Sequence, residues 1–149
     1  MASYTENDMN EFKKLVGESI MYFQTIEHDL RIIYAAMKIG DMYETLKNID
    51  TERWTLGNTV HELEKLDLSD GTAYISINDY KFLKTLTGKR NHIVHKMYES
   101  FLYEGDSYKR TRLFTEQFKD LKEYVDRMKQ VYKVIENIRL KALKDFRRI

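Results

Sequence analysis

The sequence predicts an all-α fold, a helical bundle of three long helices with one or two short ones. Three observations predict it. The 149 residues include no proline, the residue that helix interiors exclude. Apolar side chains recur at steps of three, four or seven along most of the chain, which is the spacing of one helical face. The only stretch that could form a strand, Tyr74-Ile75-Ser76-Ile77, has nothing to pair with.

The first helix is expected from about Glu6 to Ile39. Thr5 can cap it, with Asp8 three residues on in a capping-box spacing. Phe12, Val16, Phe23, Ile26, Leu30, Ile33 and Met37 form its apolar stripe, Gly17 is a place to bend, and Gly40 is a natural stop. Asp41 with Glu44 starts a short segment that carries Met42, Leu46 and Ile49. Asp50 to Arg53 reads as a turn. Trp54 to Leu66 reads as another helix with Leu56, Val60 and Leu63 inward and Gly57 interrupting it. Leu68 to Ile77, which includes Ser69, Asp70 and Gly71, is the expected loop. The third long helix is expected from about Asp79 to Tyr103 with Asn78 as its cap. After a turn at Glu104-Gly105-Asp106-Ser107, the last helix runs from about Thr111 on the stripe Phe114, Phe118, Leu121, Val125, Met128, Tyr132, Ile135 and Ile138.

Length and composition predict one domain, residues 1–149, able to bury a core without staples. No cysteine is present, which excludes a disulfide scaffold, a thiolate zinc site and a cysteine nucleophile. The net charge of +1 argues neither for nor against a polyanionic partner. No basic-then-apolar leader and no apolar run of roughly 20 residues is present, so the expected location is cytoplasmic, with no membrane partner. The Glu-x-x-His pairs of a di-iron bundle are absent, and there is no Gly-rich phosphate loop. The expectation is therefore no metal and no cofactor.

The helix around residues 80–102 does not read as plain scaffold. On a wheel at about 100° per residue, Phe82, Leu86, Ile93, Met97 and Phe101 share one side, and Arg90 falls among them. A guanidinium in an apolar stripe is costly unless it is paired or reaches water. Asn91, His95, Tyr98 and Leu102 share a second side, with Asn91 and His95 one turn apart. Lys81, Lys89, His92, Lys96 and Glu99 fall on a third side, which reads as solvated. The basic C-terminal stretch of Arg139, Lys141, Lys144, Arg147 and Arg148 reads first as a complement to the helix dipole.

The segment Lys89-Arg90-Asn91-His92-Ile93-Val94-His95-Lys96 resembles the motif of the HEPN superfamily: Arg, a polar residue, a few residues, then His. Phe23 to Leu30 and Thr55-Leu56-Gly57 are also similar to members of that group. The resemblance implies an HEPN-like helical domain. It also implies a metal-independent endoribonuclease of the toxin–antitoxin or phage-defence type, in which two subunits pair through the motif helix. It makes Arg90, Asn91 and His95 the catalytic residues. His95 would serve as acid or base on the ribose 2′-hydroxyl, Arg90 would hold the phosphate, and Asn91 would orient phosphate or imidazole. Lys89, Lys96 and Tyr98 are the expected RNA contacts, and an antitoxin protein is a further expected partner. One departure stands out. HEPN toxins with a nucleotidyltransferase antitoxin often carry tyrosine two residues after the motif histidine, and here that position is Met97, with Tyr98 next. The alternative expectation is a non-catalytic HEPN-like helical module that binds or regulates.

The residue chemistry suits RNA. The 2′-hydroxyl is RNA's own nucleophile, a histidine titrates near neutral pH, and an arginine gives an always-charged, bidentate phosphate contact.

Overall fold

The computed structural model describes residues 4–69 and 71–149. The expected loop therefore lies partly outside the described residues, at Asp70, as does the Met1–Ser3 part of the chain start. The described residues are all-helical: α1 (Glu6–Met37), α2 (Met42–Thr51), α3 (Leu56–Asp67), α4 (Ile77–Leu83), α5 (Leu86–His95), α6 (Glu99–Leu102) and α7 (Ser107–Asp145). Two helices are long, α1 with 32 residues and α7 with 39. The third long helix expected over 79–103 is three short ones, α4, α5 and α6.

Local chemistry sets the boundaries. α1 opens on the expected capping box: the Asp8 amide donates to the Thr5 hydroxyl at 3.1 Å and the Thr5 amide to the Asp8 carboxylate at 2.8 Å. Gly17 does not interrupt α1, and Gly57 does not interrupt α3. Asp41 caps α2 through the Glu44 amide at 2.9 Å. α2 ends in a Schellman turn: the Trp54 amide reaches back to the Ile49 carbonyl and the Arg53 amide to that of Asp50, with Arg53 in the left-handed region at φ 54°. Thr55 and Asn58 form a capping box on α3. Ser76, not Asn78, caps α4, accepting the Asp79 amide at 3.1 Å.

Two hydroxyls accompany the breaks in the expected third helix. The Thr85 side chain donates to the Phe82 carbonyl at 2.6 Å, and the Thr85 amide turns to the same oxygen. Beyond α5, the His92 carbonyl accepts both the Lys96 and the Met97 amides, and the Ser100 hydroxyl takes the Met97 carbonyl. Side-chain hydroxyls that bond nearby carbonyls compete with the helical ladder, and an amide reaching five residues back widens the turn. α7 begins earlier than expected because Asp106 accepts the amides of Tyr108 and Lys109.

The chain forms two compact units, each assembled from separate stretches. One comprises Met1–Tyr22 with Gly88–Gln130, and the other Phe23–Thr87 with Val131–Ile149. The first is built on an aromatic cluster. Phe12, on α1, stands 5.5 Å from both Tyr98 and Phe101 and 5.4 Å from Phe114, centroid to centroid, and Tyr4 stacks on Phe114 at 4.2 Å. Edge-on and tilted contacts of this kind add to the apolar burial.

The second unit buries Ile26, Leu30, Ile33, Leu56, Leu63, Val131, Ile135 and Ala142. Its irregular stretch after α3 is no strand. It is held by Asp67, fully buried, whose carboxylate accepts the Tyr74 amide at 2.8 Å, the Ile75 amide at 3.1 Å and the Tyr80 hydroxyl at 2.6 Å. Arg148 closes the open end of α1, donating to the carbonyls of Ala36, Lys38 and Gly40. Those oxygens would otherwise lack partners. No described helix is long and apolar enough to cross a membrane.

Candidate functional site

α5 is anchored by buried Leu86 and Ile93, and Met97 is buried just past its end. That spacing rotates Asn91, Val94 and His95 into solvent and leaves Arg90 and His92 half-buried. Asn91 and His95 lie one turn apart on the same exposed face, as the sequence implied. Arg90 does not share it. Five residues at about 100° each put Arg90 and His95 about 140° apart around the axis, so one copy of α5 does not turn guanidinium and imidazole to the same side.

The two histidines of α5 have different surroundings, and His92 departs from the expectation. His92, read as solvated, is half-buried, with Nε2 3.3 Å from Gln117 Oε1 on α7. It borders a small cavity of about 80 Å³ with Lys89, Gln117, Asp120 and Tyr124 among its other walls. His95, on the side shared with Asn91, is exposed. The wheel gave their angular positions correctly but could not say which side α7 would cover.

The expected RNA contacts also separate. The Lys89 ammonium lies 5.2 Å from the centroid of the Tyr124 ring, a cation–π arrangement. Tyr98 is half-buried in the aromatic cluster, 5.5 Å from Phe12 and 6.2 Å from Phe101, and burial pushes its hydroxyl pKa up. Lys96 is exposed in the turn after α5. No three or more His, Asp or Glu among the described residues are placed to hold a metal ion.

A second polar cluster was not singled out in the sequence. In the second unit, α1 and α7 line a cleft of about 290 Å³ with Gln24, His28 and Asp29 on one wall and Tyr132, Glu136 and Arg139 on the other. Asp29 is 5 % exposed, and its carboxylate stands 3.4 Å from an Arg139 terminal nitrogen. Burial pushes the Asp29 pKa up, while Arg139 and His28 pull it back down. The signal was present: Asp29 sits between Ile26, Leu30 and Ile33 on the inward stripe of α1, where a carboxylate needs a reason. A further cleft of about 230 Å³ contains Gly57 and Thr87, with the Lys84–Glu64 ion pair at 2.8 Å.

No family model, no curated protein and no solved structure matches this chain.

Proposed function

We propose that the chain is a metal-independent endoribonuclease of HEPN type that works as a homodimer, with Arg90, Asn91 and His95 as its reacting groups. The observation that carries the reading is an exposed imidazole one turn from an exposed carboxamide, on the helix that also holds Arg90. The divergence of Arg90 and His95 around α5 bears on assembly. Convergence on one phosphodiester calls for a second copy whose motif helix faces the first, so that the guanidinium of one copy serves the scissile bond addressed by the imidazole of the other.

In this mechanism His95 takes the proton from the ribose 2′-hydroxyl. The 2′-oxygen bonds to phosphorus, and the bond to the 5′-oxygen breaks. The partner's His95 protonates that leaving oxygen, giving a 2′,3′-cyclic phosphate and a 5′-hydroxyl. Arg90 neutralises the charge that builds on the phosphoryl oxygens, and Asn91 orients them. Lys96 adds attraction for the backbone. A toxin or phage-defence role, restrained by an antitoxin protein, goes with this activity.

The test is purified chain with RNA in EDTA, beside His95→Ala and Arg90→Ala. Cleavage that resists the chelator and falls in both variants by about 10²- to 10⁴-fold supports the site. Cleavage that survives both removes it.

A second reading is a non-catalytic helical binding or regulatory module. It is favoured by the engagement of Lys89 with Tyr124 and of Tyr98 with Phe12. It predicts no cleavage by the unmodified chain under any condition that preserves the fold.

A further inference from the structure

The cleft between α1 and α7 in the second unit holds a guanidinium that serves the fold poorly. Arg148 uses its guanidinium on three backbone carbonyls. Arg31 has a buried Nε without a hydrogen-bond partner among the described residues, but its terminal nitrogens bond the Trp54 carbonyl at 2.8 Å and Glu27 at 3.1 Å. Among the described residues Arg139 has the 3.4 Å approach to Asp29 as its one ion pair, and its Nε is buried with no hydrogen-bond partner. Asp29, almost wholly buried, has that same loose contact as its ion pair and no hydrogen bond among the described residues. Buried charges are normally paired tightly and given further hydrogen bonds, because desolvation is otherwise uncompensated. Here a carboxylate and a guanidinium are both under-bonded, and both line an open cavity.

The rest of the wall narrows the ligand. Glu136 adds a second carboxylate and Gln24 a neutral polar group. The charged groups on the wall are thus two carboxylates, Asp29 and Glu136, and one guanidinium, Arg139, beside the His28 imidazole. A simple anion is repelled by two carboxylates. A simple amine leaves the guanidinium unused. A molecule with one carboxylate and two cationic groups matches that set group for group. At about 290 Å³, the cleft sits at the small end of ligand pockets, so the molecule is a single small metabolite.

We propose that this cleft binds a free α-amino acid with a cationic side chain. The ligand carboxylate meets the terminal nitrogens of Arg139, its α-ammonium meets Asp29, and its side-chain cation meets Glu136. This does not depend on the ribonuclease reading, since it uses none of Arg90, Asn91 or His95.

The experiment is titration calorimetry on the full chain with lysine and arginine, beside norleucine, which lacks the side-chain cation, and cadaverine, which lacks the carboxylate. Saturable binding of lysine or arginine is expected, weaker by about tenfold or more for norleucine and for cadaverine. Glu136→Gln should bring lysine down to the norleucine level while leaving norleucine unchanged. Arg139→Gln and Asp29→Asn should each remove lysine binding while circular dichroism still reports a folded helix content. If Asp29→Asn does not fold, the half-buried Glu136 variant decides. Absence of binding for both basic amino acids up to about 10 mM overturns the proposal. So does cadaverine binding as tightly as lysine, or lysine binding unaffected by Glu136→Gln.

Discussion

Arg53 holds a backbone conformation in which Cβ crowds the following carbonyl, at a cost of roughly 1–2 kcal/mol for an L-residue. It does so to close α2. Glycine relaxes that crowding, offset in part by the greater freedom of the unfolded chain. Arg53→Gly is therefore expected to raise stability by about 0.5 kcal/mol, read as a shift in the urea midpoint. Asp67 shows the opposite economy, one carboxylate serving two amides and a phenol. Burial first, then the hydrogen bond to Asp67, pushes the Tyr80 pKa far above its ordinary value. A raised folded-state pKa gives stability that is whole below the unfolded tyrosine value of about 10 and is lost as pH rises through the folded value. Denaturation midpoints are thus expected to fall above about pH 10, and more steeply than in Tyr80→Phe. Equal slopes in the two proteins would separate Tyr80 from that loss. At this scale the sequence was legible where a side chain bonds its own neighbourhood, as in the Thr5–Asp8 and Asp41–Glu44 caps. It was not legible at His92 or Asp29, whose surroundings are set by residues of α7 that are distant in sequence.

The helices themselves follow the same division. α1 and α7 were readable almost end to end, because long apolar stripes outweigh single residues. Phe114, Leu121, Val125, Met128 and Ile135 are all buried as the stripe required. The stretch from 79 to 103 was misread as one helix. Its apolar spacing continues across two breaks, and the competing hydroxyls of Thr85 and Ser100 leave no mark on that spacing. Gly17 lies in the middle of α1 with open space where a Cβ would go. Gly17→Ala is expected to stabilise by about 0.5–1 kcal/mol, and thermal melts would show it. Arg148→Ala strips three hydrogen bonds from the end of α1. It should cost about 1–3 kcal/mol, in the range for charged donors. A melt unchanged in that variant would mean that water satisfies the carbonyls equally well.

For the molecule as a whole, composition and stripe spacing were enough to give the all-helical class, but not the division into two units. That division depends on which distant segments meet, and periodicity within a segment carries no record of its partner. Assembly is the property on which the ribonuclease proposal turns. Light scattering at micromolar concentration is expected to give twice the 17.9 kDa chain mass, and a clean monomer would leave Arg90 and His95 on diverging sides of one helix.

The discontinuity of the two units also bears on how the protein is made. Domains usually fold in the order in which they are synthesised. Here the unit begun by Phe23–Thr87 stays incomplete until Val131–Ile149 has been added, and the carbonyls ending α1 wait for Arg148. A nascent chain thus carries Ile26, Leu30 and Ile33 without their C-terminal cover until the stretch from Val131 has been added. That interval is when a ribosome-associated chaperone has the most to protect.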